Sequence, residues 1–143
     1  MSVVIDDLLL LRCLAGQPPE AIAGDLTQGG VFTTTYWYFR LGRAVVSGSG
    51  TGALSGQMAQ LDPETREQVR ARLDVLPPNI GLLPPRQAVP LMFTLRVQRQ
   101  PNILVAEALA VALAVRGRLA VATETPLLRS GAADLRLEYG LVS

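Results

Sequence analysis

Glu107 is an acid set in an apolar run. Its neighbours three and four positions away are Ile103, Leu104, Ala110 and Val111. A carboxylate on the buried face of a helix is costly unless it is paired or bound to metal. Glu107 is therefore expected to have a cationic partner, either an arginine such as Arg40 or Arg12 or a metal ion. Asp6 follows Val3-Val4-Ile5, at the carboxyl end of a predicted strand, where open α/β sheets place ligands. Asp7 reads as the N-cap of the next helix, which leaves Asp6 free for other work. Thr123-Glu124-Thr125 lies just past another predicted strand, and its hydroxyls and carboxylate would hold a cation directly or through water. Asp6, Glu107 and Glu124 make an oxygen-only ligand set suited to Mg²⁺ or Mn²⁺, with Thr123 positioning one of them or a bound water. Such an ion activates water and neutralises charge on a phosphodiester under in-line attack.

The composition narrows the chemistry further. The 143 residues include no histidine, which removes Ser-His and Cys-His nucleophiles and imidazole-ligated zinc or haem. All 13 basic residues are arginine, so Schiff-base and Walker A lysine chemistry are excluded as well. Cys13 is the single cysteine and makes no internal disulfide, which fits a reducing cytoplasm. No basic segment precedes the apolar N-terminal stretch, so it does not read as a signal peptide. The apolar run at 103–115 falls short of the roughly 20 residues that span a bilayer. With a net charge of +1 there is no strong electrostatic footprint for nucleic acid, although Arg96, Arg99, Arg116, Arg118 and Arg129 could rim a small RNA site.

The elements that must position these groups alternate between strand and helix. Residues 3–5 read as a buried strand, 8–14 as a helix stopped by Gly16, 31–35 as a strand and 36–46 as a helix. Asp62 with Pro63 opens a helix that ends before Pro77. Residues 80–83 read as a short strand, and 86–98 as a helix that Pro90 kinks or delays. Asn102 caps an apolar helix ending near Arg116-Gly117, followed by a strand at 119–122. A short helix then opens at Thr125-Pro126, and a last strand covers 135–141. This alternation predicts one three-layer α/β/α domain, residues 1–143, with a mostly parallel central sheet.

Two segments strengthen that expectation by resemblance. VVIDDLLLL at 3–11 resembles the opening of PIN domains, in which a hydrophobic strand ends in a metal-binding Asp, a role that falls on Asp6. EALAVALAVRGRLAVATET at 107–125 is similar to the family's second hallmark. That hallmark is an acid heading an alanine-rich helix, then a glycine-containing turn and a strand ending in Thr; Glu107 matches the acid and Thr123 the threonine. The resemblance implies a PIN-like fold and a toxin-type, Mg²⁺- or Mn²⁺-dependent ribonuclease with an antitoxin partner. Two departures accompany it. The family's last aspartate falls on Thr125, with Glu124 one position off, and the helix at 36–44 lacks the family's acid and carries Arg40 and Arg43. An Arg40 side chain turned into the site would take the place of the metal and pair with Asp6 or Glu107. Two functions are thus expected in competition: a metal-dependent ribonuclease, or a catalytically inactive PIN-like binding or scaffold protein neutralised by an arginine.

Two further stretches complete the reading. Residues 47–56 are rich in Gly and Ser and read as a loop. Tyr36, Trp37, Tyr38 and Phe39 hold four of the seven aromatics in one helical turn, so at least one must meet solvent or a partner. Together with the 49% hydrophobic content and Leu91-Met92-Phe93, this predicts a homodimer.

Overall fold

The computed structural model of the chain describes residues 1–47 and 52–143. Its five strands are β1 (Val3–Ile5), β2 (Val31–Thr33), β3 (Ile80–Leu82), β4 (Arg118–Val121) and β5 (Tyr139–Leu141). They form one all-parallel sheet in the order β3-β2-β1-β4-β5. The chain steps outward from β1 to β3, then returns to the other side of β1 for β4. The switch point of the sheet therefore lies between β1 and β4, with Val3, Val4 and Ile5 opposite Arg118, Leu119 and Ala120.

Eight helices are described: α1 (Asp7–Leu14), α2 (Glu20–Thr27), α3 (Thr35–Ser47), α4 (Ala53–Gln60), α5 (Pro63–Asp74), α6 (Pro85–Phe93), α7 (Ile103–Val115) and α8 (Pro126–Asp134). The period of two along the central strands sorts them into layers. Val3, Ile5 and Ala120 enter a core built with α1, α2 and α5, while Val4, Leu119 and Val121 enter one built with α7 and α8. Both faces of the sheet are covered, as an all-parallel sheet requires. This is the three-layer α/β/α arrangement that the alternation of elements predicts. Helix α3 serves both layers, with Leu41 in the first core and Trp37 in the second.

The start signals at Asp62 and Asn102 are used as read. Asp62 accepts from Thr65 N at 2.7 Å, and Asn102 from Val105 N at 2.9 Å. Helix α7 ends with Arg116 in the left-handed region at φ 53°, whereas Gly117 is required for space, since a Cβ there would stand 2.8 Å from the Ser2 carbonyl oxygen. No helix among the described residues is long and apolar enough to cross a membrane.

Four local expectations are corrected. Helix α1 begins at Asp7 with Asp6 as its cap. Pro90 sits inside α6, which ends at Phe93 instead of running to residue 98. The last strand is confined to Tyr139–Leu141, because Leu135 to Leu137 turn through a positive φ at Arg136. The loop expected at 47–56 already contains the start of α4 at Ala53, and its residues 48–51 lie outside the described residues.

Candidate functional site

Asp6 leaves the carboxyl end of β1 with an extended backbone, and the next residue is helical. Its Oδ1 therefore accepts from Leu9 N at 3.0 Å, while Oδ2 reaches across the switch point to accept from Ala122 N at 2.8 Å. The expectation that Asp6 is free because Asp7 caps the helix is overturned: Asp6 is the cap and also the tie between β1 and β4. Burial is the largest influence on its acidity. It pushes the carboxyl from 3.8 up to about 6, against the Leu9 and Ala122 amides and with the help of neighbouring Asp7.

Asp7 is the first residue of α1 and is 5% exposed. Its Oδ1 accepts from Leu8 N at 2.9 Å. Among the described residues its Oδ2 accepts no hydrogen bond, and it faces Arg40 Nε at 3.3 Å. Burial raises the Asp7 carboxyl above its ordinary range, and Arg40 draws it back in part. Arg40 does turn inward from α3, but its partner is Asp7, not Asp6 or Glu107. Asp6, Asp7, Arg40, Thr123 and Thr125 all line one cleft of about 400 Å³ at the carboxyl edge of the sheet.

Glu107 lies elsewhere. Its Oε2 accepts from Thr35 N and its Oε1 from Tyr36 N, each at 2.9 Å, and Thr34 Oγ1 accepts from Trp37 N at 3.0 Å. A helix leaves its first four N–H groups without partners. Three of those of α3 are satisfied here, two of them by a carboxylate that also suits the positive end of the helix dipole. Among the described residues no arginine pairs with Glu107. The predicted cation is replaced by backbone amides, and the apolar neighbours hid this because the amides come from a segment 72 residues away.

Glu124 is paired with Arg129, Oε2 to Nη2 at 2.7 Å and Oε1 to Nε at 2.9 Å, and Oε1 also accepts from the Tyr139 hydroxyl. Those contacts hold its carboxyl below the usual range. Thr123 is exposed and lines the cleft with Asp6, whereas Glu124 does not line it.

The chemistry expected of Mg²⁺ or Mn²⁺ can be compared with these donors. The ion needs several oxygens converging on one point. Both oxygens of Asp6 and both of Glu107 receive backbone N–H groups in separate places, and Glu124 faces Arg129. Among the described residues no three His, Cys, Asp or Glu side chains group so as to hold a metal ion. The donor set does not fit the ion.

Two features escaped the sequence reading. Asp7 was set aside as a cap, although a second acid beside Asp6 was the available signal. The other is where the apolar surface expected from Tyr36 to Phe39 and Leu91 to Phe93 comes together: a face between α3, α6 and α7 that Ile103 joins, with Phe39 61%, Phe93 77% and Ile103 63% exposed. It carries a pocket of about 330 Å³ lined by Tyr36, Phe39, Val89, Met92 and Ile103, with Glu107. No family model and no curated protein matches this chain.

Proposed function

We propose that this chain is a PIN-like protein that binds and does not cleave, its carboxylates committed to holding the fold together. One observation carries the reading: Asp6 spends both oxygens on the Leu9 and Ala122 amides, and the adjacent Asp7 faces Arg40. The acid at the first metal position is thus a cap and an interstrand tie, and the acid beside it already faces a guanidinium. The competing ribonuclease, with Mg²⁺ or Mn²⁺ on Asp6, Glu107 and Glu124 and an antitoxin partner, keeps the support of the cleft itself, which gathers Asp6, Asp7 and Thr123 at a sheet edge.

The partner that fits the binding reading is a second copy of this chain. The face formed by Tyr36, Phe39, Val89, Phe93 and Ile103 is an exposed apolar area on the order of 500 Å². A standard interface takes about 800 Å² from each side, a little over half of it apolar. The face supplies that apolar share.

Calorimetry with Mn²⁺ on the purified protein, together with a single-stranded RNA cleavage assay in Mg²⁺ and in Mn²⁺, tests the central claim. The expected result is no saturable binding at millimolar metal and no cleavage. Saturable binding that disappears in both Asp6→Ala and Glu107→Ala would overturn it and return the ribonuclease.

A further inference from the structure

Helices α7 and α8 end in the same way, and against the ordinary choice of residue. Gly117 N donates to Ala112 O at 3.0 Å and Leu137 N to Ala132 O at 2.8 Å, the closing bond of a motif that needs the residue before it in the left-handed region. That residue is Arg116 at φ 53° in α7 and Arg136 at φ 58° after α8. They are the only non-glycine residues with a positive φ among the described residues. Glycine takes such a position without a Cβ penalty, and in α7 a glycine stands one place later, yet the strained place goes to arginine both times. The helix dipole does not account for this choice. Any residue of the last turn would serve it, and neither last turn holds a basic residue. Strain kept at a cost in stability points to the side chain that it carries.

Both side chains line one pocket of about 360 Å³ at the amino edge of the sheet, where the chain enters β4 and β5, on the edge opposite the Asp6 cleft. Three guanidiniums and one carboxylate, those of Arg116, Arg118, Arg136 and Glu138, stand in its wall beside half-buried Leu113 and Leu137. Arg118 is engaged, with Nη2 donating to Ala21 O at 3.0 Å and lying 3.3 Å from Asp25 Oδ2. Arg116 and Arg136 are exposed, and among the described residues neither side chain takes part in an ion pair or a hydrogen bond. We propose that this pocket, which lies outside the proposed function, binds a phosphate monoester. A carboxylate presents two coplanar oxygens and matches a single guanidinium fork, whereas a phosphate spreads its oxygens so that two forks from different helices share one group. The near-double negative charge of a monoester at neutral pH answers two unpaired guanidiniums and outweighs the repulsion from Glu138. Leu113 and Leu137 receive the organic body of the ester, and the volume suits a small molecule.

Calorimetry on the intact protein in phosphate-free buffer compares phenyl phosphate, benzoate and a single-stranded RNA without a terminal phosphate. The expected result is saturable binding of phenyl phosphate, at least tenfold weaker binding of benzoate and none tighter by the RNA. Arg116→Gly and Arg136→Gly should each weaken the ester at least tenfold. Their thermal unfolding midpoints should hold or rise, because glycine relieves the left-handed backbone. Glu138→Gln, which removes the one carboxylate in the wall, should tighten binding. No saturable binding of phenyl phosphate, equal binding of benzoate, or unchanged binding in both glycine variants overturns the inference. A lowered midpoint in the glycine variants would make the arginines structural and overturn it as well. RNA that binds more tightly than the ester and is lost in the same variants would replace the small ester with a nucleic-acid backbone.

Discussion

Glu107 Oε2 accepts the backbone amide of Thr35 at 2.9 Å. With Tyr36 N on Oε1, this fastens the middle of α7 to the first turn of α3 and joins the two layers at the carboxyl edge of the sheet. The acid that most resembles a catalytic residue in the sequence is a helix cap supplied from another element.

Removing that cap has a definite cost. Glu107→Ala should destabilise the protein by about 2 kcal/mol, and Glu107→Gln, which keeps one accepting oxygen, by about 1 kcal/mol, read from urea unfolding midpoints. A broken buried ion pair would cost roughly 3–5 kcal/mol, and a carboxylate freed from mutual repulsion in a metal site would cost nothing. The ordering Ala worse than Gln, both modest, separates the cap from either.

The acidity of Asp6 sets a pH dependence. Its folded value of about 6 lies above the ordinary 3.8, so the folded state holds the proton more tightly than the unfolded chain. The contribution is fully present below the unfolded value and is lost as pH rises through 4 to 6, a fall of at most roughly 3 kcal/mol. Asp7 is shifted in the same direction and adds to it. Urea unfolding should therefore show lower stability at about pH 7 than at about pH 4.5, with a smaller difference in Asp6→Asn. The lowered carboxyls of Asp62 and Glu124 act with the opposite sign, adding stability above their ordinary values. A protein more stable at the higher pH would contradict the assignment.

Two glycines should respond in opposite directions to alanine. At Gly117 the new Cβ would lie 2.8 Å from Ser2 O and 3.0 Å from Ser2 C, both backbone, beside the bond from Arg118 N to Ser2 O. Gly117→Ala should cost about 1–3 kcal/mol as β1 and β4 are pushed apart. Gly42, inside α3, has nothing within 4 Å of a Cβ, and Gly42→Ala should add roughly 0.5–1 kcal/mol. Thermal unfolding of the two variants checks both signs.

The apolar face makes a prediction about mass. Light scattering of the wild-type protein should give a dimer, and Phe39→Asp or Phe93→Asp should give a monomer that keeps its secondary structure by circular dichroism. A wild-type monomer at high micromolar concentration would remove the second copy as the occupant of that face.

The layers, the parallel sheet and the caps at Asp62 and Asn102 were legible because each depends on local pattern. A β-branched run, a proline at the first helical position or an apolar stretch behind an asparagine acts within a few residues. The candidate site was legible only as a set of acids. What Glu107 and Asp6 bind is decided by partners 72 and 116 residues distant, Thr35 N for the first and Ala122 N for the second. Backbone amides leave no signature in a sequence, so Glu107 looked in need of a cation. Arg40 was expected to meet Asp6 or Glu107 if it turned inward, whereas it meets Asp7, and the choice between Asp6 and Asp7 depends on which of the two is the cap, a matter of one residue in a helix boundary.

The place of β1 between β2 and β4 also sets a timetable for folding. Val3, Val4 and Ile5 are synthesised well before β4, so one edge of that strand has no partner until residues 118–120 exist. At about 5–20 residues per second, a strongly apolar strand edge waits for several seconds while α1 and β2 are already available on its other side. Pairing over so long a separation is slow, and an open edge of this composition invites pairing between chains. The Asp6 tie to Ala122 can close only after that wait, so yield from the ribosome should depend on chaperones more than the stability of the finished fold would suggest.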